Sequence, residues 1–298
     1  MAEQIANLPH GVDICFETFG SADDPTVLLV MGLGGPMGWW TNAFCGQLIE
    51  RGFHVVRYDN RDTGRSTKFS DSPVAKADLI KAFLGRPIEA PYRLNDMADD
   101  AFALLDHLGV ESAHVAGVSM GGMIAQTLAI SRPERVLSLT SIMSTTGNRR
   151  VGYQHPVTFP SLLAPAKGGR EEYVARSLKS AALIGSPAFP TDRAESIARA
   201  EETYDRGWTG EGVARHMAAV TTQDDRTAAL GKLTIPATVI HGLRDKLVDI
   251  SGGRATARAI PHAEFVSIPG MGHDIPTQLF GTFIDAIERT AKRSITTR

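Results

Sequence analysis

A serine between glycines is the first feature of this sequence that could do covalent chemistry. Gly117, Ser119 and Gly121 form the pattern G-x-S-x-G in "HVAGVSMGGMIAQTLAI", where an apolar, β-rich run gives way to a helix-like run. Small flanking residues let a tight strand-to-helix turn pass close to its neighbours and push the serine hydroxyl outward. Such a serine attacks a carbonyl when a base accepts its proton. The pentapeptide also fits a glycine-rich turn whose serine only caps the helix.

The base is expected late in the chain. His273 lies in "PGMGHDIP", a loop just past the last predicted strand, and glycine and proline there can present one side chain at the strand ends. Other histidines have simpler explanations: His54 and His114 begin predicted strands, and His155 and His216 fall in a helical insertion. His273 is therefore the candidate general base.

An acidic partner for this histidine should follow the strand before it. Asp245 does so in "IPATVIHGLRDKLVD", and its carboxylate would fix the imidazole tautomer and stabilise the imidazolium. Asp249 is the rival, four residues further on, but Asp245 is nearer the strand end. Asp274 is adjacent to His273 in sequence and is expected to point elsewhere. The chain order is then Ser119, Asp245, His273.

The elements that must position these residues alternate between strand and helix. Continuous apolar strands separated by helices predict an α/β protein with a mostly parallel central sheet covered by helices on both faces. The predicted strands of the first half are GVDICFETFG, TVLLVMG, HVVRYD, SAHVAGVS and VLSLTSIMS, and the predicted helices are WWTNAFCGQLIERG, LNDMADDAFALLDHLGV and MGGMIAQTLAISRPE.

The pattern changes near Thr145 and resumes after Leu230. Between them lie helical runs such as GREEYVARSLKSAALIG and TDRAESIARAEETYDRG, with no convincing strand. The strands IPATVIHG and AEFVSIPG follow, separated by ISGGRATARAIP, and PTQLFGTFIDAIERTAKR closes the chain as a helix. We therefore predict a core domain of residues 1–144 and 231–298 and an inserted helical cap of residues 145–230.

Composition excludes several kinds of partner. The 298 residues carry a formal net charge of -2, so there is no basic footprint for nucleic acid or an anionic membrane surface. Cys15 and Cys45 lack the spacing of metal ligands and are expected to be buried thiols. No apolar run reaches membrane-spanning length and the N-terminus lacks a signal-peptide pattern, so a cytoplasmic location is expected by default. The sequence carries no signal for an oligomeric state.

Taken in chain order, these stretches resemble the α/β-hydrolase fold enzymes over nearly the whole chain. The matching pieces are VLLVMGLGG, VVRYDNRDTGRST, GVSMGG, HGLRD and PGMGH. Within that family the chain is most similar to small esterases of the aclacinomycin methylesterase type. The resemblance implies a Ser-His-Asp triad that hydrolyses esters with neither metal nor cofactor. It also sets aside the dehalogenases and epoxide hydrolases of this fold, which use an aspartate nucleophile where this chain has Ser119.

The resemblance further implies an oxyanion hole made by the backbone N–H groups of Leu33 and Met120. Many relatives carry a histidine where this chain has Met31, but a backbone donor does not depend on that side chain. The relatives' turn D-x-R-G-x-G-x-S appears here as residues 59–66, with Asp62 in place of a glycine. That turn is expected to be structural.

Substrate contacts with a hydrophobic ester are expected from the cap and from the oxyanion loop, the loop that contains Leu33 and follows the strand TVLLVMG. Gly32, Gly34, Trp39 and Trp40 are the candidate binding residues, although both tryptophans would equally suit a helix packed on the sheet. The other candidates are methionines and aromatic residues: Met31, Leu33, Met37 and Met120 in the loops, and Tyr153, Phe159, Phe189, Tyr204 and Trp208 in the cap.

Other activities use the same triad and stay open at this point. They are hydrolysis of a thioester, lactone, lipid ester or carbon-carbon bond, and acyl transfer or perhydrolysis with another nucleophile in place of water. A ligand receptor or scaffold that retains hydrolase parts belongs to a different class. Slow turnover with tight ligand retention would identify it.

Overall fold

An eight-stranded sheet runs through the protein and carries the functional loops. The structure is a computed structural model that describes residues 2–158 and 168–295. The spatial order of the strands is β1-β2-β4-β3-β5-β6-β7-β8. The strands are β1 (Gln4–Asn7), β2 (Asp13–Phe19), β3 (Thr26–Val30), β4 (His54–Tyr58), β5 (Ala113–Val118), β6 (Val136–Ile142), β7 (Ala237–Gly242) and β8 (Glu264–Ile268).

The sheet is mostly parallel, as predicted. β1 pairs with β2 and β2 with β4 in antiparallel fashion, and every pairing from β4 through β8 is parallel. All residues of β3, β4 and β5 are buried, which explains their lack of polar alternation. Parallel strands bring their carboxyl ends to one edge, so the loops after β3, β5, β7 and β8 lie side by side.

Helices cover both faces of the sheet. Along β3, Val27 and Leu29 join the core layer under α1 and α10, whereas Leu28 and Val30 join the layer under α3 and α4. Burying each such side chain contributes about 1.5–3 kcal/mol. The helices are α1 (Asn42–Glu50), α2 (Lys76–Phe83), α3 (Leu94–His107), α4 (Met120–Ser131), α5 (Arg170–Ile184), α6 (Arg193–Asp205), α7 (Gly210–Thr221), α8 (Thr227–Leu230), α9 (Ile250–Ala259) and α10 (Phe280–Ile295).

The segment between β6 and β7 contains helices joined by turns and coil where the structure describes it. It contains α5 to α8, and residues 145–158 and 168–230 include no strand. This agrees with the helical insertion expected from the sequence. The proposed division into a core domain and a cap domain stays a prediction.

Buried ion pairs join this insertion to the turn that follows β4. Arg215 of α7 contacts both carboxylate oxygens of Asp62 at 2.8 Å, and Tyr92 donates its hydroxyl to Asp62 at 2.6 Å. Burial would raise the pKa of Asp62, but its bonds to Arg215 and Tyr92 lower it instead. Arg206 forms a second such bridge to Asp59 at 2.7 Å. Removing one partner of a buried pair costs about 3–5 kcal/mol, so the turn has the structural role expected of it.

Some elements were absent from the sequence prediction. They are β1, α2 and α9, of which α9 lies in the stretch ISGGRATARAIP that separates β7 from β8. Both cysteines are free and buried, as expected. Over residues 2–158 and 168–295, no helix has the length and apolar character needed to cross a bilayer, and no cluster of three or more His, Cys, Asp or Glu side chains is arranged to hold a metal ion. The cytoplasmic location stays a prediction.

Candidate active site

Ser119 occupies a strained turn between β5 and α4. Its φ is 56° and its ψ is -118°, in the left-handed half of conformational space that a residue with a side chain rarely adopts. Neighbouring backbone holds it there: the Ser119 N–H donates to the Ile142 carbonyl at 2.9 Å, and the Ser144 hydroxyl donates to the Ser119 carbonyl at 2.8 Å. The side chain consequently projects from the end of the sheet.

The flanking glycines allow this turn because no Cβ would fit. A Cβ on Gly117 would lie 2.1 Å from the Gly121 carbonyl oxygen, and one on Gly121 would lie 2.1 Å from the Val30 carbonyl oxygen. Both distances are far inside van der Waals contact. The pattern G-x-S-x-G is therefore required here by close backbone packing.

Three predicted residues meet at the carboxyl edge of the sheet. His273 Nε2 lies 2.9 Å from Ser119 Oγ, and His273 Nδ1 lies 2.7 Å from Asp245 Oδ2. A carboxylate accepts hydrogen bonds only, so Nδ1 carries the proton and Nε2 presents its lone pair to the serine hydroxyl. This tautomer is the one in which His273 can take a proton from Ser119.

The carboxylate of Asp245 is held from its second oxygen as well. Asp245 Oδ1 accepts the backbone N–H groups of Leu247 and Val248 at 2.8 and 2.9 Å. The fully buried His241 places its Nε2 3.4 Å from Asp245 Oδ2. Burial would raise the pKa of Asp245, but His273 and His241 hold it well below its usual range. The group therefore stays ionised opposite the imidazole.

The two rival carboxylates have other partners. Asp249 is the N-cap of α9, where its Oδ1 accepts the Ser251 N–H at 2.9 Å. Asp274 accepts a hydrogen bond from the Ser186 hydroxyl. Among these three acids, the described hydrogen bonds connect Asp245 alone to the His273 ring.

The two expected oxyanion donors, the N–H groups of Leu33 and Met120, make no hydrogen bond within the described residues. Leu33 and Met120 both line the cavity that contains Ser119. Met120 is the first residue of α4, so its N–H has no acceptor within the helix. Within the described part of the chain, the Leu33 N–H also makes no hydrogen bond. Both donors are thus available to a ligand oxygen.

His216, which the sequence gave no reason to select, fixes the oxyanion loop. Its Nδ1 accepts the Gly34 N–H at 3.1 Å, and its Nε2 donates to the Arg61 carbonyl at 2.7 Å. His216 thus satisfies the Gly34 N–H, whereas the adjacent Leu33 N–H has no acceptor among the described residues. Complete burial lowers the pKa of His216 from 6.5 to about 4, so the ring is neutral at physiological pH.

A cavity of about 1260 Å³ opens above the triad. Ser119 and His273 lie on its surface together with Gly32, Gly34 and Trp39, which were predicted to bind substrate. The Trp39 ring is anchored because its Nε1 donates to the Thr203 hydroxyl at 2.9 Å. The oxyanion loop and the helical insertion therefore enclose the site together.

The structure corrects part of the predicted pocket. Trp40 is fully buried with its ring centroid 5.0 Å from that of Phe44, and it does not line the cavity, so its prediction as a binding residue was wrong. Met37 is likewise buried outside the cavity. Consecutive residues on a short turn point to opposite sides, and of the two tryptophans Trp39 faces the site.

The aromatic residues predicted in the insertion divide into two groups. Tyr153 and Trp208 line the cavity, whereas Phe189 and Tyr204 do not, and Phe159 lies outside the described residues. Tyr173, which was not predicted, also lines the cavity.

Substitutions of Asp245 and Asp249 distinguish the proposed triad acid from the aspartate that caps α9. In Asp245→Asn the neutral amide can donate an N–H to Nδ1, so the imidazole loses both the Nδ1–H tautomer and the negative charge opposite it. We expect kcat for a turned-over ester to fall by about 10³- to 10⁴-fold. Asp249→Asn keeps an N-cap acceptor and should change kcat less than twofold. Equal losses in the two variants would remove Asp245 from this role.

The buried neutral His216 makes stability depend on pH. Between pH 6.5 and 4 the unfolded chain protonates this histidine and the folded chain does not, so the free energy of unfolding falls as pH falls. The contribution amounts to about 3 kcal/mol across that window. His216→Gln does not titrate, so urea unfolding should show wild type losing its advantage over the variant between pH 7.5 and pH 4. Parallel pH curves for the two proteins would contradict this.

Comparison with known proteins agrees with this fold. The family model described as the alpha/beta hydrolase fold matches residues 25–277. Rhodomycin D methylesterase DauP of Streptomyces sp. (strain C5) is 29% identical over 89% of this chain and 90% of its own, and 3-oxoadipate enol-lactonase 2 of Acinetobacter baylyi is 26% identical over 95% and 94%.

A solved structure shares the fold at lower identity. The enol-lactonase from Burkholderia xenovorans LB400 superposes with a TM-score of 0.72 at 21% identity, covering 98% of this chain and 100% of its own. Because the family model matches residues 25–277, which is most of the sequence, this chain belongs to the α/β-hydrolase fold family.

Proposed function

We propose that this α/β-hydrolase is a serine esterase that cleaves carboxylic esters of small or hydrophobic substrates through an acyl-enzyme. The observation that carries the proposal is the continuous hydrogen-bonded chain from Asp245 through His273 to Ser119, ending at a large cavity. Nucleophile, base and orienting acid each have the partner that this chemistry requires.

The first step forms a bond between Ser119 Oγ and the ester carbonyl carbon. His273 Nε2 takes the serine proton as the bond forms, and Asp245 stabilises the resulting imidazolium. Negative charge collects on the former carbonyl oxygen, which the N–H groups of Leu33 and Met120 receive. Each such donor contributes roughly 3 kcal/mol to the transition state.

The second and third steps use the same proton carrier. His273 donates its proton to the departing alkoxide, and the alcohol leaves behind an ester on Ser119. His273 then deprotonates a water molecule that attacks this acyl group, and the proton returns to Ser119 Oγ as the acid departs. One ester and one water become one acid and one alcohol.

An apolar lining beside Ser119 supports a hydrophobic substrate. Met31, Leu33, Val118, Met123 and Met143 all contribute surface to the cavity. Methionine side chains adapt to varied shapes, and the volume exceeds what a minimal acetate ester fills. The similarity to a methylesterase over most of both chains is consistent with cleavage of a small alcohol from a larger acid.

Lactone hydrolysis is the second candidate, favoured by the enol-lactonase relative. A lactone is an internal ester, so the attack, oxyanion and acyl-enzyme are the same. Only the leaving alkoxide differs, because it stays attached to the acyl chain. A lactone series beside a linear ester series of equal carbon number would rank the two activities.

The test of this function is hydrolysis of p-nitrophenyl esters over a range of acyl lengths. We expect wild-type turnover that falls by several orders of magnitude in Ser119→Ala and to a similar extent in His273→Ala. The double variant should lose no more than either single variant, since the two residues act as a unit. Ser131→Ala is the matched control, because Ser131 lies at the far end of α4, outside the cavity, and its hydroxyl donates to the Leu128 carbonyl. Near-normal activity in Ser119→Ala would end the proposal.

A further inference from the structure

The cavity above Ser119 is strongly cationic, in contrast to the chain as a whole. The protein contains 31 Lys and Arg against 33 Asp and Glu. Among the described residues that line the cavity, Asp274 is the one carboxylate, and it is engaged by the Ser186 hydroxyl. The cations that line it are Arg149, Arg176, Arg193, Arg199, Arg244 and Lys246.

Most of these cations lack an opposite charge. Elsewhere in the insertion, Arg170, Arg206 and Arg215 are each paired with carboxylates. Within residues 2–158 and 168–295, five of the cavity cations form no ion pair: Arg149, Arg193, Arg199, Arg244 and Lys246. Among the described residues, these five side chains therefore lack the ion pairing that neutralises Arg170, Arg206 and Arg215.

Arg199 is the best placed of these groups. Its guanidinium carbon lies 5.8 Å from the ring centre of Trp39, the oxyanion-loop residue that faces the cavity. Trp39 is itself anchored to Thr203 of the same helix, α6. A guanidinium stacked on an indole is held in orientation while its N–H edge stays free to bind an anion. Arg199 thus places a positive charge against Trp39 at the cavity.

Charges of one sign around a recess add their potentials. Solvent screens the exposed Arg149, Arg193, Arg244 and Lys246 more than the partly buried Arg199. A neutral ester gains nothing from that potential, whereas an anionic group on the substrate is attracted. Asp245 and His273 account for the chemistry without any of these cations. The cluster of cations at the cavity is therefore more relevant to substrate binding than to the chemical steps.

We propose that the natural substrate is an ester whose acid portion carries a free carboxylate in addition to the ester group. The cavity cations bind this carboxylate, and Arg199 is the main one. This inference rests on the proposed esterase function and narrows it. In a dicarboxylic monoester, the bond that breaks joins the acyl carbon to the alkoxy oxygen. Water supplies a hydroxyl group to the acyl carbon and a proton to the departing alkoxide. The products are a dicarboxylate, an alcohol and, at neutral pH, one released proton.

The test compares monomethyl with dimethyl esters of glutarate, adipate and suberate. The two members of each pair share a chain and a scissile bond and differ in one carboxylate. After division of the diester rate by its two ester bonds, we expect kcat/KM to favour the monoester at least threefold for one chain length or more. Raising ionic strength from about 0.01 to 1 M shortens the Debye length from about 30 to 3 Å and should erode that ratio.

Variants assign the preference to the cavity. Arg199→Gln should lower the monoester-to-diester ratio by about three- to tenfold, mainly through KM for the monoester, and Arg199→Lys should restore part of it. Arg258→Gln removes the same charge from an exposed position on α9 outside the cavity and should leave the ratio unchanged.

The outcomes separate the two proposals. Hydrolysis that depends on Ser119 but favours the neutral diester at every chain length would overturn the anionic substrate and leave the esterase standing. An equal fall of the ratio in Arg199→Gln and Arg258→Gln would overturn the role of the cavity cations. Absence of Ser119-dependent hydrolysis with these esters and with the p-nitrophenyl series would overturn both.

Discussion

The backbone of Ser119 is the constraint on which the site depends. A residue with a side chain is held at a φ of 56° by its N–H bond to the Ile142 carbonyl of β6, by the Ser144 hydroxyl, and by two glycines that tolerate no Cβ. Such strain persists only where the surroundings over-determine it. Here it brings Ser119 to the cavity, directly before Met120, the first residue of α4. The proposed nucleophile and one of the proposed oxyanion donors therefore depend on the same turn.

The rest of the fold brings partners to that turn. Parallel pairing of β5 to β8 puts the loops bearing Asp245 and His273 at the same edge as Ser119. The insertion then touches both sides of the site. His216 of α7 holds the oxyanion loop through Gly34, and the Ile184 carbonyl at the end of α5 accepts the His273 N–H at 2.7 Å. The helices that enclose the substrate thus also fix the groups proposed to act on it.

Local patterns in the sequence were enough to predict strands β2 to β8, the elbow and the three residues that meet there. Each of these follows from apolar periodicity or from a loop directly after a strand. The role of His216 was out of reach because its partner, Gly34, is 182 residues away and the contact depends on packing. Trp40 was misassigned because the direction of adjacent residues on a short turn is a property of the folded backbone.

The missed helix α9 has a different cause. Its glycines, Gly252 and Gly253, weaken the helical signal, yet a Cβ on Gly253 would lie 2.4 Å from the buried His241 ring. The helix needs glycine in order to approach β7 closely. Likewise, the cationic character of the cavity is spread over positions 149–246 and is invisible as a run of charge in the sequence.

The most direct measurement is the covalent intermediate itself. Wild type mixed with excess p-nitrophenyl ester and quenched in acid within milliseconds should show, by intact mass and then peptide mapping, one acyl group on the peptide that contains Ser119. The adduct should be absent from Ser119→Ala. Ester turnover without any adduct at Ser119, or with the acyl group on another residue, would contradict the account.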